Sequence, residues 1–309
     1  MQEKIGNVTL DYEYYPGEDL YSDGPVEEEL LEIAKNYQEK ELNQLIYERN
    51  SWPVLYHFSH IRQNILEWLP IMKKQNVLEI GSGCGPITGV LARKAKSVTC
   101  IDLSKMRSTI NAYRNRECDN VKIMVGNFQD VESSLTEKYD YITLIGVFEY
   151  SQGYIGTAQP YVEMLRRIAR HLAPGGRIVI AIENRLGLKY WAGCTEDHVG
   201  KYFEGLENYP DTRSVRTFSR KELSDIIDQA GAFKTTFYYP YPDYKFPMTI
   251  YSDKRLPKKG ELRDNFCNFD RNRIQLFNEG KVYDSLTDAG LFQEFSNSFL
   301  VIVERKENK

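Results

Sequence analysis

A chain of 309 residues can form one large domain or a domain with substantial additions, and 41% apolar with 27% charged residues is an ordinary globular balance. The formal net charge of -4 argues against the broad basic surface that nucleic-acid binding needs. No apolar run of about 18 residues occurs, so no membrane span is expected, and the start MQEKIGNVTL has no basic region followed by an apolar one, so a cytoplasmic protein is expected.

Residues 5 to 15 alternate Val8, Leu10, Tyr12 and Tyr14 with Thr9, Asp11 and Glu13, the period of a half-buried strand. From Val26 the apolar positions Leu30, Ile33, Ala34, Tyr37, Leu42, Leu45 and Ile46 follow helical spacing, with Glu27, Glu28 and Glu29 in the first turn. Ser51, Trp52 and Pro53 are expected to end that helix, and a second helix to run over 54–69. Residues 1–70 therefore read as an N-terminal extension and helical cap, and 71–309 as the main domain.

The central part alternates strands and helices. Strands are expected at 77–80, 98–101, 121–125, 141–145 and 177–182, with helices starting near Pro86 and Ser104 and another at 161–172. That rhythm implies a mostly parallel sheet covered on both faces. After Ile182 comes a long loop, 183–218, then a helix opened by the Ser219/Glu222 capping box and closed at Ala230 and Gly231. Strands at 233–239 and 299–303 follow, separated by an insertion, 240–297, rich enough in aromatics to argue for order. The tail ERKENK reads as frayed. The five cysteines, Cys84, Cys100, Cys118, Cys194 and Cys267, show no C-x-x-C pair or His/Cys grouping, which favours free thiols over disulfides or a metal site.

The chain is organised around NVLEIGSGCGPITGVLARKAKSVTCIDL, residues 76–103. An apolar strand enters a turn with Gly81, Gly83 and Gly85, and a second strand ends in Asp102. Glycine lets the backbone bend sharply and approach a ligand. The dinucleotide fingerprint G-x-G-x-x-G fails here, because its third glycine would fall on Pro86 or Thr88. What remains is Glu79-x-Gly81-x-Gly83-x-Gly85.

Five segments in order carry a resemblance: Glu79 to Gly85; Asp102, 21 residues after Gly81; Gly126-Asn127-Phe128; DYITLIGVFEY from Asp140; and LRRIARHLAPGGRIVIAIEN. Over about residues 70–305 the chain resembles class I S-adenosyl-L-methionine (SAM) methyltransferases. The resemblance implies an α/β, Rossmann-like, doubly wound, seven-stranded sheet with strand seven antiparallel, and SAM as cofactor. LYHFSHIRQNILEW, LIGVFEYS, IENRLGLKYWAG and FYYPYPDYKFP are similar to a bacterial subgroup found with glycosyltransferases and surface-polysaccharide genes, which implies a glycan or small-molecule acceptor and association with glycosyltransferases.

On that resemblance Glu79, Gly81, Ser82, Gly83, Gly85, Asp102, Leu103, Asn127, Phe128 and Gly146 would bind SAM. Asp102, an acceptor-only carboxylate, suits the ribose hydroxyls. Asn127 would meet the adenine edge, with Phe128 flanking the ring. Phe148 or Tyr150 could face the sulfonium, with core packing the better role for Phe148.

A hydroxyl acceptor needs a proton acceptor nearby. His198 and Glu149 are the catalytic candidates, and Tyr150, Glu183, Asn184, Arg185 and Asp197 the substrate-binding ones, because they leave the carboxyl ends of strands. His57 and His60, three apart, would share a face that packs. No N-P-P-Y follows the fourth strand, which removes the main signal for methylating nucleic-acid base amines. The expected activity is methyl transfer to a hydroxyl of a sugar, glycan or other polar small molecule. The alternatives are a phosphate, carboxylate or amine acceptor, or a SAM-fold protein that binds without turnover.

Overall fold

The computed structural model describes residues 1–265 and 273–306. Cys267, the end of the ERKENK tail and part of the 240–297 insertion lie outside the described residues. Two compact units form. One comprises Met1–Leu144 with His171–Arg177, the other Ile145–Arg170 with Ile178–Lys309. Ten strands occur among the described residues, where seven were expected. They are β1 (Gln2–Ile5), β2 (Val8–Asp11), β3 (Asn76–Ile80), β4 (Ser97–Asp102), β5 (Val121–Val125), β6 (Tyr139–Ile145), β7 (Leu172–Glu183), β8 (Phe233–Tyr241), β9 (Thr249–Ser252) and β10 (Ser298–Arg305).

In the first unit the strand order is β1-β2-β5-β4-β3-β6. All pairings from β2 to β6 are parallel, with Val77 opposite Val98 and Tyr141, and only the β1–β2 hairpin is antiparallel. Val77, Leu78 and Ile80 are almost fully buried, as central parallel strands with both faces covered must be. In the second unit the order is β7-β10-β8-β9, and β10–β8 and β8–β9 are antiparallel. The architecture is thus Rossmann-like α/β with a mostly parallel sheet and an antiparallel C-terminal region. Beyond those seven stand β1, β2 and β9; β2 forms inside the span 5–15 where a strand was expected, whereas β1 and β9 were not foreseen. Residues 5–15 do not form one strand, because Gly6, at φ 57°, turns the chain back between β1 and β2.

The N-terminal helices break more often than their apolar spacing suggests. The helix Val26–Asn36 stops at Tyr37, which is extended, and a new turn starts where the Glu41 carboxylate accepts from the Gln38 N–H at 2.8 Å. Leu42–Arg49 closes on left-handed Asn50. Trp52 and Pro53 open the helix Trp52–Phe58 rather than closing the one before, since proline is tolerated in a first turn that lacks N–H partners. Extended Ser59 then divides 54–69. From these helices Leu30, Ile33, Leu45, Val54 and Phe58 bury themselves with Cys84 of the glycine turn and Ile110. Asp19 reaches the start of helix Lys105–Arg114, accepting from the Lys105 N–H at 2.6 Å, the Met106 N–H at 3.1 Å and the Ser104 hydroxyl at 2.8 Å.

The central helices are Thr88–Lys94, Lys105–Arg114 and Pro160–Arg170. Within the 183–218 loop only Leu188–Trp191 is helical, and the insertion contributes β9, Glu279–Asp288 and Phe292–Phe295. Cys84, Cys100, Cys118 and Cys194 are free thiols. No helix among the described residues is long and apolar enough to cross a membrane.

The reciprocal box at Ser219 and Glu222 forms as the spacing implied, with the Glu222 N–H donating to Ser219 Oγ at 3.3 Å and the Ser219 N–H to Glu222 Oε2 at 2.8 Å. Ser219→Ala should cost about 1 kcal/mol in denaturant unfolding. An unchanged midpoint would show that the cap contributes nothing.

Candidate functional sites

In the first unit β3 delivers the chain into the glycine turn. The N–H groups of Gly81 and Ser82 donate to the Ile101 carbonyl at 2.8 and 3.3 Å, so the turn is tied to the end of β4. Gly81, Gly83 and Gly85 all have φ between 50° and 74°, the left-handed region. Their surroundings differ. A Cβ on Gly85 would come within 2.3 Å of Asn111 Oδ1, whereas one on Gly83 would meet nothing within 4 Å. Gly85 is therefore required by packing, and Gly83 leaves room for a ligand.

Asp102 closes the turn. Its Oδ2 accepts from the Gly83 N–H at 2.7 Å and its Oδ1 from the Ser104 N–H at 3.0 Å. Burial raises its pKa above the ordinary carboxylate value, against those two N–H groups and nearby Arg107. Each carboxylate oxygen retains a second lone pair for a ribose hydroxyl. The Asp102 carbonyl accepts from the Gly126 N–H at 2.8 Å, which brings the end of β5 alongside. Half-buried Leu103 follows.

Glu79 is buried and shielded from solvent. Its Oε2 accepts from Thr88 Oγ1 at 2.7 Å and from the Cys100 thiol at 3.4 Å, while Thr88 Oγ1 accepts from Asn111 Nδ2 at 3.0 Å. Glu79 therefore braces the turn against the two following helices, and burial pushes its pKa to about 7. Ser82 is buried within the turn. Asn127 caps the turn after β5, accepting from the Gln129 N–H at 3.1 Å, and buried Phe128 meets His171 edge-on at 6.4 Å. His57 and His60 do not share a face: His57 is buried 3.5 Å from Asp23, and exposed His60 bonds Asn43. The break at Ser59 separates them.

The second unit gathers the other candidates. Gly146 lies where a Cβ would come within 2.7 Å of the Tyr244 hydroxyl. Phe148 is buried against Tyr161 and Phe218, the packing role expected of it. Glu149 and Glu183 are fully enclosed, with side chains 1% and 0% exposed, and His198 Nε2 lies 3.4 Å from Glu149 Oε1 and 3.8 Å from Glu183 Oε2. On its other edge His198 Nδ1 meets Glu196 Oε1 at 2.9 Å, and the Tyr150 ring stands edge-on to the imidazole at 5.5 Å. Burial works against the imidazolium, yet Glu183, Glu149 and Glu196 raise the His198 pKa well above its ordinary value. Burial raises that of Glu149, against the pull of His198.

Asp197 belongs to the same group. Lys189 Nζ lies 2.7 Å from Asp197 and 2.8 Å from Asp243, Lys245 Nζ lies 3.5 Å from Asp197 and bonds Glu183 Oε1, and the Tyr190 hydroxyl donates to Asp197. Burial resists ionisation of Asp197, but Lys189 and Lys245 hold its carboxyl well below the usual range. Glu196, Lys189, Asp243 and Lys245 were not among the sequence candidates. A lysine enclosed by aromatics, as in LKYW and DYKF, was the available sign of a buried, paired charge.

Asn184 and Arg185 are occupied within the fold. Asn184 Nδ2 donates to the Glu294 and Ser296 carbonyls, both at 2.8 Å, and Arg185 forks onto Glu222 at 2.7 and 3.2 Å.

A family model described as "Methyltransferase domain" matches residues 55–234, more than half of the chain. Among solved structures, a chain from the complex of the Haloferax volcanii Trm112 methyltransferase activator with a methyltransferase is 18% identical, covering 88% of this chain and 99% of that one, with TM-score 0.51. The YcgJ protein from Bacillus subtilis is 18% identical over 81% and 99%, with TM-score 0.44. Haemonchus contortus phosphoethanolamine N-methyltransferase 1, solved with phosphoethanolamine and S-adenosylhomocysteine, is 14% identical over 93% and 52%, with TM-score 0.49. At 18% identity the first of these likenesses shows the fold alone, and the other two, with TM-scores under 0.5, carry no argument. No curated protein matches the sequence.

The Glu79 pKa carries a stability consequence. Because folding raises it from 4.5 to about 7, proton binding favours the folded state: the contribution is full below pH 4.5 and is lost as pH rises through 7. Measured by denaturant unfolding at pH 4.5 and pH 8, the stability of the native protein relative to Glu79→Gln should fall by roughly 3 kcal/mol across that span. A difference that does not change with pH would contradict this assignment.

Proposed function

The chain belongs to the methyltransferase-domain family and uses S-adenosyl-L-methionine as its methyl donor, and we propose that the acceptor is a hydroxyl of a sugar, glycan or similar polar small molecule. The first unit's turn fits the donor: Gly83 leaves open space beside it, and the Asp102 carboxylate at the end of β4 offers lone pairs to a diol. Gly81, Ser82, Gly83 and Leu103 would line the donor, and Asn127 and Phe128 would meet its adenine. Glu79 and Gly85 would hold the turn in shape.

One observation carries the acceptor reading. Glu149 Oε2 and Glu183 Oε2 are buried and accept no hydrogen bond. A carboxylate oxygen left in that state is costly, and a hydroxyl is the group that satisfies it, since ionised carboxylates only accept. A phosphate or carboxylate acceptor would add negative charge to a lining already rich in it. Glu183 and Tyr150 would orient the acceptor, His198 would stand beside the Glu149 carboxylate with its Nε2 3.4 Å from Oε1, and Asp197 would set the two lysines in place. Trp191, Tyr202 and Phe203, each 45–48% exposed along the same 183–218 loop, offer flat apolar faces to a sugar ring. A saccharide acceptor would also suit work beside glycosyltransferases in the cytoplasm.

Bound SAM supplies a methyl group on a sulfonium; as the acceptor oxygen bonds that carbon, the C–S bond breaks with its electron pair left on sulfur, and S-adenosylhomocysteine departs. The chain has to place the acceptor oxygen about 3 Å from the methyl carbon and receive the hydroxyl proton. Glu149 Oε2 is the atom proposed to take it. Residues 71–309 would carry this chemistry, with the 183–218 loop and 240–297 insertion on the acceptor side and 1–70 as a cap.

Methyl-labelled SAM incubated with glycosides, sugar nucleotides and cell extract should yield a labelled methyl ether that survives mild alkali. Glu149→Gln should lower kcat by about 10²- to 10⁴-fold while SAM affinity is kept. An alkali-labile ester would overturn the hydroxyl reading. The acidic lining also admits an amine, and an N-methyl product would make that the acceptor instead.

A further inference from the structure

The contacts around His198 Nε2 are too long for charge-assisted hydrogen bonds, which run at about 2.7–2.9 Å. At 3.4 and 3.8 Å from Glu149 Oε1 and Glu183 Oε2 they instead match the spacing of two ligand atoms held about 2.1 Å from one ion, roughly 3.4 Å at a tetrahedral angle. One oxygen of each glutamate and one imidazole nitrogen all lie within 4.8 Å of one another.

Three further observations point the same way. Glu149 Oε2 and Glu183 Oε2 are enclosed without a hydrogen-bond partner. Glu196 accepts from the opposite edge of His198, through Nδ1 at 2.9 Å, and is itself fixed by the His198 and Val199 N–H groups at 2.7 and 2.8 Å and by the Tyr209 hydroxyl at 3.1 Å. This is the outer carboxylate of a carboxylate–histidine–metal arrangement, which turns the Nε2 lone pair inward. Lastly, among the described residues the carboxylates of Glu149, Glu183, Glu196, Asp197 and Asp243 share only the ammonium groups of Lys189 and Lys245 once His198 is neutral. Three negative charges are left in excess, and a dication leaves one.

We propose that Glu149, Glu183 and His198 bind one divalent first-row transition cation, of the Zn²⁺ or Mn²⁺ type, with the acceptor hydroxyl as a further ligand. Two carboxylates and one imidazole suit such an ion better than Ca²⁺ or Mg²⁺, which prefer an all-oxygen set. Bound to the ion, the hydroxyl would lose its proton more readily, and Glu149 Oε2, the oxygen without a hydrogen-bond partner, would receive it. The residual negative charge still favours an uncharged acceptor. The ion's role rests on the hydroxyl reading; its binding does not.

The test uses the full chain freed of metal with EDTA and titrated calorimetrically with ZnCl₂ and MnCl₂. One ion per chain is expected, bound at least tenfold more weakly by Glu183→Gln, His198→Asn and Glu196→Gln. SAM affinity, read on the same preparations, should be unchanged and certifies that each variant is folded. No saturable binding at one ion per chain, or equal binding by folded variants, would overturn the site. Metal binding is read without turnover, so it stands if the hydroxyl reading fails; methyl ether formed at full rate in EDTA would overturn the ion's role.

Discussion

Five carboxylates, two lysines and a histidine, some fully enclosed and some half-buried, are gathered in one loop-rich region and set the terms for the second unit. Removing an ion from water costs several kcal/mol, which only close partners offset. Lys189 and Lys245 provide that for Asp197, Asp243 and one oxygen of Glu183, and His198 provides it in part for Glu149. The arrangement fixes much else. The 183–218 loop folds back to bring His198 and Asp197 to Glu149 and Glu183, and the segment after β8 supplies Asp243 and Lys245. Such a group is expensive to bury for stability alone, and it is where reactive chemistry concentrates.

The first unit meets a different constraint. Its turn leaves β3 through three left-handed glycines and is closed by one carboxylate, Asp102, bonded to the Gly83 N–H. Beneath it the buried line from Cys100 through Glu79 and Thr88 to Asn111 holds the turn to the helices on either side. Gly85 is part of that packing, while Gly83 faces open space. Gly83 and Gly85 thus have separate duties, although the sequence presents them within one motif.

Much of this was legible in the sequence, because local physics determines it. Continuous apolar runs located β3 to β6, and the β5 bounds were read without error. The Ser219/Glu222 box, the glycine turn and Asp102 depend on neighbours close in the chain or on a fixed spacing. Misread features depend on distant partners or on subtle breaks. Extended Tyr37 and Ser59 interrupt helices whose apolar spacing continues across them. Asn184 looked free to bind a ligand, yet its partners Glu294 and Ser296 lie 110 and 112 residues on. Lys245 sits 62 residues from Glu183, and no periodicity reports such a pair. Glu149, Glu183, Asp197 and His198 could be nominated from their places after strands, but their gathering about one imidazole could not.

On the reading proposed above, the glycine turn and Asp102 hold S-adenosyl-L-methionine. Calorimetric titration of the purified chain with SAM and, separately, with NAD⁺ tests it most directly. Saturable 1:1 binding of SAM is expected, weakened at least tenfold by Asp102→Ala, with no heat from NAD⁺. Binding of NAD⁺ in place of SAM, or SAM affinity indifferent to Asp102, would contradict it.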